Sequence, residues 1–194
     1  MSKSDSSNSK KVRNSTIRWV VVIFIVTILI SAIISLVSEE IMDGSSTVTA
    51  FVILLTIVLI GIVFDIIGVA VTSADESPFH AMAARKVNGA KEAIKLLRQA
   101  EKVSSICNDV IGDICGVVSG SASATIAVQL LNHFEVSWPR IVGLVMSALV
   151  AGLTVGGKAI GKTFAVNSST VIVHFAGKVI WSLNHFPSFF RKKK

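Results

Sequence analysis

Three carboxylates, Asp65, Asp109 and Asp113, stand inside stretches that are otherwise apolar, and two lysines, Lys158 and Lys162, stand at the end of another. A charge in hydrocarbon costs on the order of several kcal/mol unless it is paired, hydrated or metal-bound, so such residues are functional candidates from the outset. Two kinds of chemistry are open to them. Carboxylate oxygens suit a hard divalent cation such as Mg2+, and the same acids suit pairing with the lysines, which locks a helix bundle.

Asp109 and Asp113 lie in "SICNDVIGDICG", residues 105–116. At about 100° per residue they share a helix face with Gly112, Gly116 and Gly120, which form a small-xxx-small ladder. Such a ladder admits a neighbouring helix at close range and predicts that both acids face a bundle interior. Asp65, in "VFDIIGVAV", adds a third acid near the end of an earlier apolar run. On one reading Asp65, Asp109 and Asp113 hold a bound or transported Mg2+; on the other, Asp109 or Asp113 pairs with Lys158 or Lys162. The residues alone leave both open.

Other motifs fail on their context. Gly156–Thr163 satisfies the phosphate-loop pattern GxxxxGK[ST], but the apolar helix "IVGLVMSALVAGLTV" precedes it where the pattern needs a strand. No nucleotide partner is expected. His80, His133, His174 and His185 share no helix face, so no histidine metal site is expected, and no Ser, His and Asp constellation marks an enzyme. Cys107 and Cys115, eight residues apart on one helix, are too distant for a bridge. Asp75 or Ser77 before Pro78 suits a helix start.

The elements that must position these residues are membrane helices. The chain has 194 residues, 52% hydrophobic and only 16% charged, and its mean hydropathy is +0.70. That composition is too apolar for an ordinary soluble domain. Residues 19–37, "WVVVIFIVTILISAIISLV", are long enough for a ~30 Å hydrocarbon core. This run exceeds a signal-peptide core and a second follows closely, so it reads as an anchor, not a cleaved leader. The fold class expected is an all-α integral membrane protein with four transmembrane helices, about 19–38, 48–72, 103–131 and 138–160, plus amphipathic interfacial helices.

Residues 1–18 are Ser-, Lys- and Arg-rich and read as a disordered basic cytoplasmic tail ahead of a membrane domain at 19–166. Within that domain, 77–100 forms an amphipathic belt, a helix or helix pair hinged near Asn88-Gly89. Residues 167–194 form an amphipathic basic segment lying along the headgroups. The basic tail, belt and C-terminus fall on one side if the chain crosses four times with both termini cytoplasmic, which predicts a cell-membrane protein with anionic lipid headgroups as partners. No nucleic-acid partner is expected.

In layout the chain resembles the transmembrane domain of the CorC and CNNM (cyclin M) magnesium transport family. "FDIIGVAV" (64–71) stands where that family has a motif like FSxSETAL, and "FHAMAARKVNGAKEAIKLL" (79–97) matches its basic interfacial segment in spacing and in an Ala-Lys-x-Ala core. "GDICGVVSGSASAT" (112–125) matches GNNLVNxxxSAxAT at Gly112, Ser121, Ala122, Ala124 and Thr125. "GKAIGK" (157–162) matches GEILPK at Gly157 and Lys162, with Ile160 displaced by one. The resemblance implies divalent-cation transport and a homodimer. Its magnesium positions are substituted, however: Asp65, Ile67 and Gly68 replace polar residues, Asp113 and Ile114 replace the paired asparagines, and Lys158 replaces the glutamate. No CBS regulatory module is expected after the membrane domain. The alternative implied is a non-transporting scaffold or partner of a separate regulatory protein, in which Lys158 stands in for the ion and pairs with Asp113 or Asp65.

Overall fold

The computed structural model describes residues 3–42, 44–133 and 138–191, and no strand occurs among them. Four helical stretches are long and apolar enough to cross a membrane. The first is Ile17–Met42, within α1 (Lys3–Met42), and the second is α2 (Thr47–Ser73). The third, Ala100–Leu131, joins α5 (Ala100–Ser104), a π-helical segment (Ser105–Gly112) and α6 (Asp113–His133); the fourth, Arg140–Asn167, lies in α7 (Pro139–Asn167). Helix α1 is continuous from Lys3, across residues whose composition reads as a tail, and α7 runs past residue 160 to Asn167. Residues 134–137 and the basic residues 192–194 lie outside the described residues.

Local chemistry sets the helix ends. Ser46 has extended backbone angles, and its Oγ accepts the Thr49 amide at 3.3 Å, a side-chain cap that starts α2. Pro139 occupies the first turn of α7, where its missing N–H has no intrahelical partner to lose. Asp75 Oδ1 accepts the Ser77 amide at 3.2 Å just before Pro78, which turns the chain into α3 (Ser77–Ala84).

Helix α2 is the hub, packing against α6, α7 and the π-helical segment, while α1 rests mainly on α6. At one end Met42, Leu54, Val58, Ile126 and Val150 form a buried cluster. In the middle Val110, Ile114 and Val118 pack against Ile23 and Ile57, and at the other end Val71, Phe79, Ala93, Ala165 and Val173 close the core. Two contacts fix which helix ends lie together: Gln129 Nε2 donates to the Met42 carbonyl at 3.2 Å, and Lys102 Nζ lies 5.8 Å from the Trp19 ring centre. Much of the remaining surface is apolar, including Phe24, Leu36, Leu144 and Ile160, a surface that matches hydrocarbon better than water.

The belt is a pair of helices, α3 and α4 (Ala90–Arg98), separated by a turn in which Gly89 has φ 86°. Ala90 and Ala93 of α4 are buried, while Lys91, Lys95 and Arg98 are exposed. Helix α8 (Ser169–Arg191) packs on α4. The two meet backbone to backbone: a Cβ on Gly177 would fall 2.5 Å from the Gly89 carbonyl oxygen, and one on Gly89 would fall 2.5 Å from the Lys178 nitrogen. Only glycine at both positions permits this crossing.

The ends of the belt are tied by charge. Glu76 Oε1 accepts from Arg98 Nε and lies beside His80 Nε2, each at 3.0 Å, so the start of α3 is held to the end of α4. The Arg98 hydrogen bond holds the Glu76 carboxyl below its ordinary range against an opposing desolvation, with His80 adding to the lowering. A carboxylate favoured by folding contributes stability above its unfolded pKa and loses it as pH falls through the lower folded value. The thermal-midpoint advantage of wild type over Glu76→Gln is therefore expected at neutral pH and should close on acidification below the usual carboxylate range. A difference independent of pH would show that the clamp acts by packing alone.

Candidate functional site at the centre of the bundle

Asp65 is only 3% exposed, in the C-terminal half of α2. Glycines on the same face bring other chains close to it. A Cβ on Gly61 would lie 2.8 Å from the Cys115 Cβ, and one on Gly68 would overlap the Asn108 carboxamide. The third span therefore lies against α2 on either side of Asp65. From α7, Gly157 and Gly161 seat on Ile62 and Ile66 of α2; a Cβ on Gly161 would lie 2.7 Å from Ile66 Cγ1.

Between those two glycines Lys158 reaches inward. Its Nζ is 4.0 Å from Asp65 Oδ1 and donates to the Gly112 carbonyl at 3.4 Å. A carbonyl and a carboxylate thus share one ammonium. Asp65 Oδ2 and Asn108 Oδ1 are both buried with no hydrogen-bond partner, while Asn108 Nδ2 donates to Ser104 Oγ at 3.2 Å. The centre is a buried ion pair with two acceptor oxygens left over. Buried acceptors are normally satisfied, so both oxygens are places where a water or a small cation fits chemically.

The π-helical segment determines which residues of the third span join this centre. A π turn closes with i→i+5 bonds and holds more residues than an α turn, so each residue advances by less than 100°. The helical wheel drawn at 100° fails across Ser105–Gly112. Asp109 and Asp113, expected to face the interior, are exposed, and Asp109 Oδ2 accepts from Ser105 Oγ at 2.8 Å on its own helix. The buried line runs instead through Cys107, Val110, Ile114, Val118, Ala122 and Ile126.

The expected ligand set Asp65, Asp109 and Asp113 is therefore not brought together. No three His, Cys, Asp or Glu side chains converge on a metal position among the described residues. Of the expected pairings, Lys158 meets Asp65 and not Asp113, and Lys162 is exposed without an ion pair among the described residues. Of the glycine ladder, Gly112 is buried beside Lys158, whereas a Cβ on Gly116 or Gly120 would meet nothing within 4 Å. The phosphate-loop pattern Gly156–Thr163 is helical throughout.

Two members of the centre escape a reading by residue type. Asn108 stands beside two carboxylates that carry the stronger signal, and an amide in an apolar stretch carries the same desolvation argument. The Gly112 contribution is a backbone carbonyl, which no side-chain pattern marks.

Removing one partner from a buried pair leaves an uncompensated charge, typically at a cost of about 3 to 5 kcal/mol. The 4.0 Å separation and the partial exposure of Lys158 favour the low end. Asp65→Asn and Lys158→Met should each destabilise the protein by about 3 kcal/mol, and the double variant should recover most of that loss. Thermal unfolding in detergent measures this, and simply additive losses would mean that the two side chains are not coupled.

No family model matches the chain, and no curated protein matches it.

Proposed function

We propose that the protein is a multi-pass membrane protein with both termini cytoplasmic, working as a non-transporting scaffold or regulatory partner whose ion position is filled by Lys158. One observation carries the reading: the Lys158 ammonium lies between the Asp65 carboxylate and the Gly112 carbonyl, the two kinds of oxygen that a hard cation uses. In the resemblance to the CorC and CNNM layout, Lys158 also stands at the acidic position of the last motif. Trp19 beside Lys102 and Met42 beside Gln129 support the orientation, because they set the starts of the first and third spans at one end and their finishes at the other. The basic belt then shares a side with the N-terminus.

A second reading, transport of Mg2+ or a similar divalent cation, is favoured by the unpartnered oxygens of Asp65 and Asn108. Liposomes loaded with a magnesium indicator separate the two. Wild type is expected to give no flux, and Lys158→Glu is expected to gain Mg2+ binding. Wild-type flux that Asp65→Asn abolishes would establish the transport reading in its place.

The assembly proposed is a homodimer through small-residue faces. A groove of about 230 Å3 runs between α6 and α7, with Gly116, Ser119, Gly120 and Ser123 on one wall and Ser147 and Ala151 on the other. Gly143, Gly152 and Gly156 also open onto free space. Open glycines of this kind let a further helix approach closely. Gly116→Leu should reduce cross-linked dimer in mild detergent without lowering the monomer's thermal stability, since its Cβ meets nothing in the monomer. Unchanged dimer yield would remove this face from the interface.

A further inference from the structure

The turn between α3 and α4 ends the first helix in an unusual way. The Val87 amide donates to the Met82 carbonyl and the Lys86 amide to the Ala83 carbonyl, each at 3.0 Å. Those two bonds define a Schellman C-cap, whose left-handed position is ordinarily glycine. Here it is Lys86, with φ 57°. A side-chain-bearing residue in that conformation costs roughly 1 to 2 kcal/mol, and such outliers point from geometry to function.

Lys86 lines a cavity of about 380 Å3 between this turn and α8, within the roughly 300 to 1,000 Å3 range of small-ligand pockets. Lys91, Asn88 and Glu92 contribute from the turn and α4, and Trp181 and His185 from α8. The Trp181 and His185 rings stack at 4.5 Å between centroids, 28° from parallel, on the α8 side of the cavity. The turn is fixed to α8 by the Gly89–Gly177 crossing and by the His174 ring, whose Nε2 lies 3.3 Å from the Asn88 carbonyl oxygen. Lys86 and Lys91 are exposed, and neither has an ion pair among the described residues.

We propose that this cavity binds the phosphate headgroup of an anionic phospholipid. The exposed ammonium groups of Lys86 and Lys91 supply the phosphate charge, with Lys acting as a point charge toward its oxygens. Glu92 and Asn88 accept from hydroxyl groups on the headgroup, and the Trp181 face covers the glycerol. The carboxylate on the wall selects against a bare dianion and in favour of a phosphodiester that carries donors. The position selects lipid over a soluble phosphate: α3 and α4 link the end of the second span at Ser73 to the start of the third at Ala100, and an amphipathic ring such as Trp181 sits at headgroup level. That choice rests on the membrane reading above; the phosphate chemistry does not, and neither depends on transport.

The test uses the full chain in detergent with Trp19→Phe and Trp138→Phe, so that Trp181 is the remaining tryptophan. Short-chain phosphatidylglycerol, short-chain phosphatidylcholine and inorganic phosphate are titrated separately, following Trp181 emission. Phosphatidylglycerol is expected to give a saturable change and phosphatidylcholine none. Lys86→Gln with Lys91→Gln should weaken binding about tenfold or more, whereas Lys95→Gln, on the same helix but outside the cavity, should not. Both variants alter exposed side chains, and an unchanged helical circular dichroism spectrum confirms the fold. Equal responses to the two lipids, or wild-type affinity in the double variant, would overturn the proposal. Inorganic phosphate binding as tightly as phosphatidylglycerol would overturn its lipid part and leave a free-phosphate site. Because no flux is read, failure here is distinct from failure of the scaffold reading.

Discussion

A carboxylate buried in a helix bundle has to be matched, and the way Asp65 is matched organises the rest of the molecule. Lysine has a long stem, so Lys158 reaches Asp65 only if α7 lies close to α2. Gly157 and Gly161 create that approach by leaving room for Ile62 and Ile66. The same requirement on the opposite side is met by Gly61 and Gly68, against Cys115 and Asn108. Four glycines on two helices thus surround one ion pair. Their spacing is better explained by the pair than by a general tendency of membrane helices to carry small residues.

The π-helical segment follows from the same constraint. It turns the Gly112 carbonyl to where Lys158 donates, places the Asn108 amide beside Gly68, and carries Asp109 outward to Ser105. Asp113, one residue on from Gly112 and so about 100° round the regular α6, is exposed as well. The arrangement leaves a single carboxylate facing a single lysine, a neutral pair. A segment of this kind at the most polar part of a span is where irregular helices recur at functional sites.

Much of the architecture was legible because its signals are local. Apolar run length marked the spans, Asn88-Gly89 marked the break in the belt, and Asp75 with Pro78 marked the entry to α3. The facing of Asp109 and Asp113 was not legible, since a wheel shows that two residues share a side but not which way that side points, and no residue type announces the π turn that ends at Gly112. The partner of Lys158 was legible only as one of several acids, because the choice depends on contacts between residues 65, 112 and 158 that are distant in the chain. Gly116 and Gly120 show the converse: a ladder signals capacity for close approach, but not which helix uses it, and in the monomer none does.

The ion pair also constrains what else the centre can hold. Two unit charges about 4 Å apart interact by roughly 4 kcal/mol at an effective dielectric constant near 20, and a divalent ion doubles that figure. A Mg2+ ion at such a distance from Lys158 would therefore meet about 8 kcal/mol of repulsion, which consumes attraction that the Asp65 carboxylate would otherwise supply. Moving the ammonium away relieves that repulsion, and the exposed part of the Lys158 side chain permits it, since a four-carbon stem at the edge of a bundle can carry its head outward to more polar surroundings. On that logic an ammonium at this position and a divalent cation exclude each other, and the Gly112 carbonyl is the oxygen to which Lys158 donates.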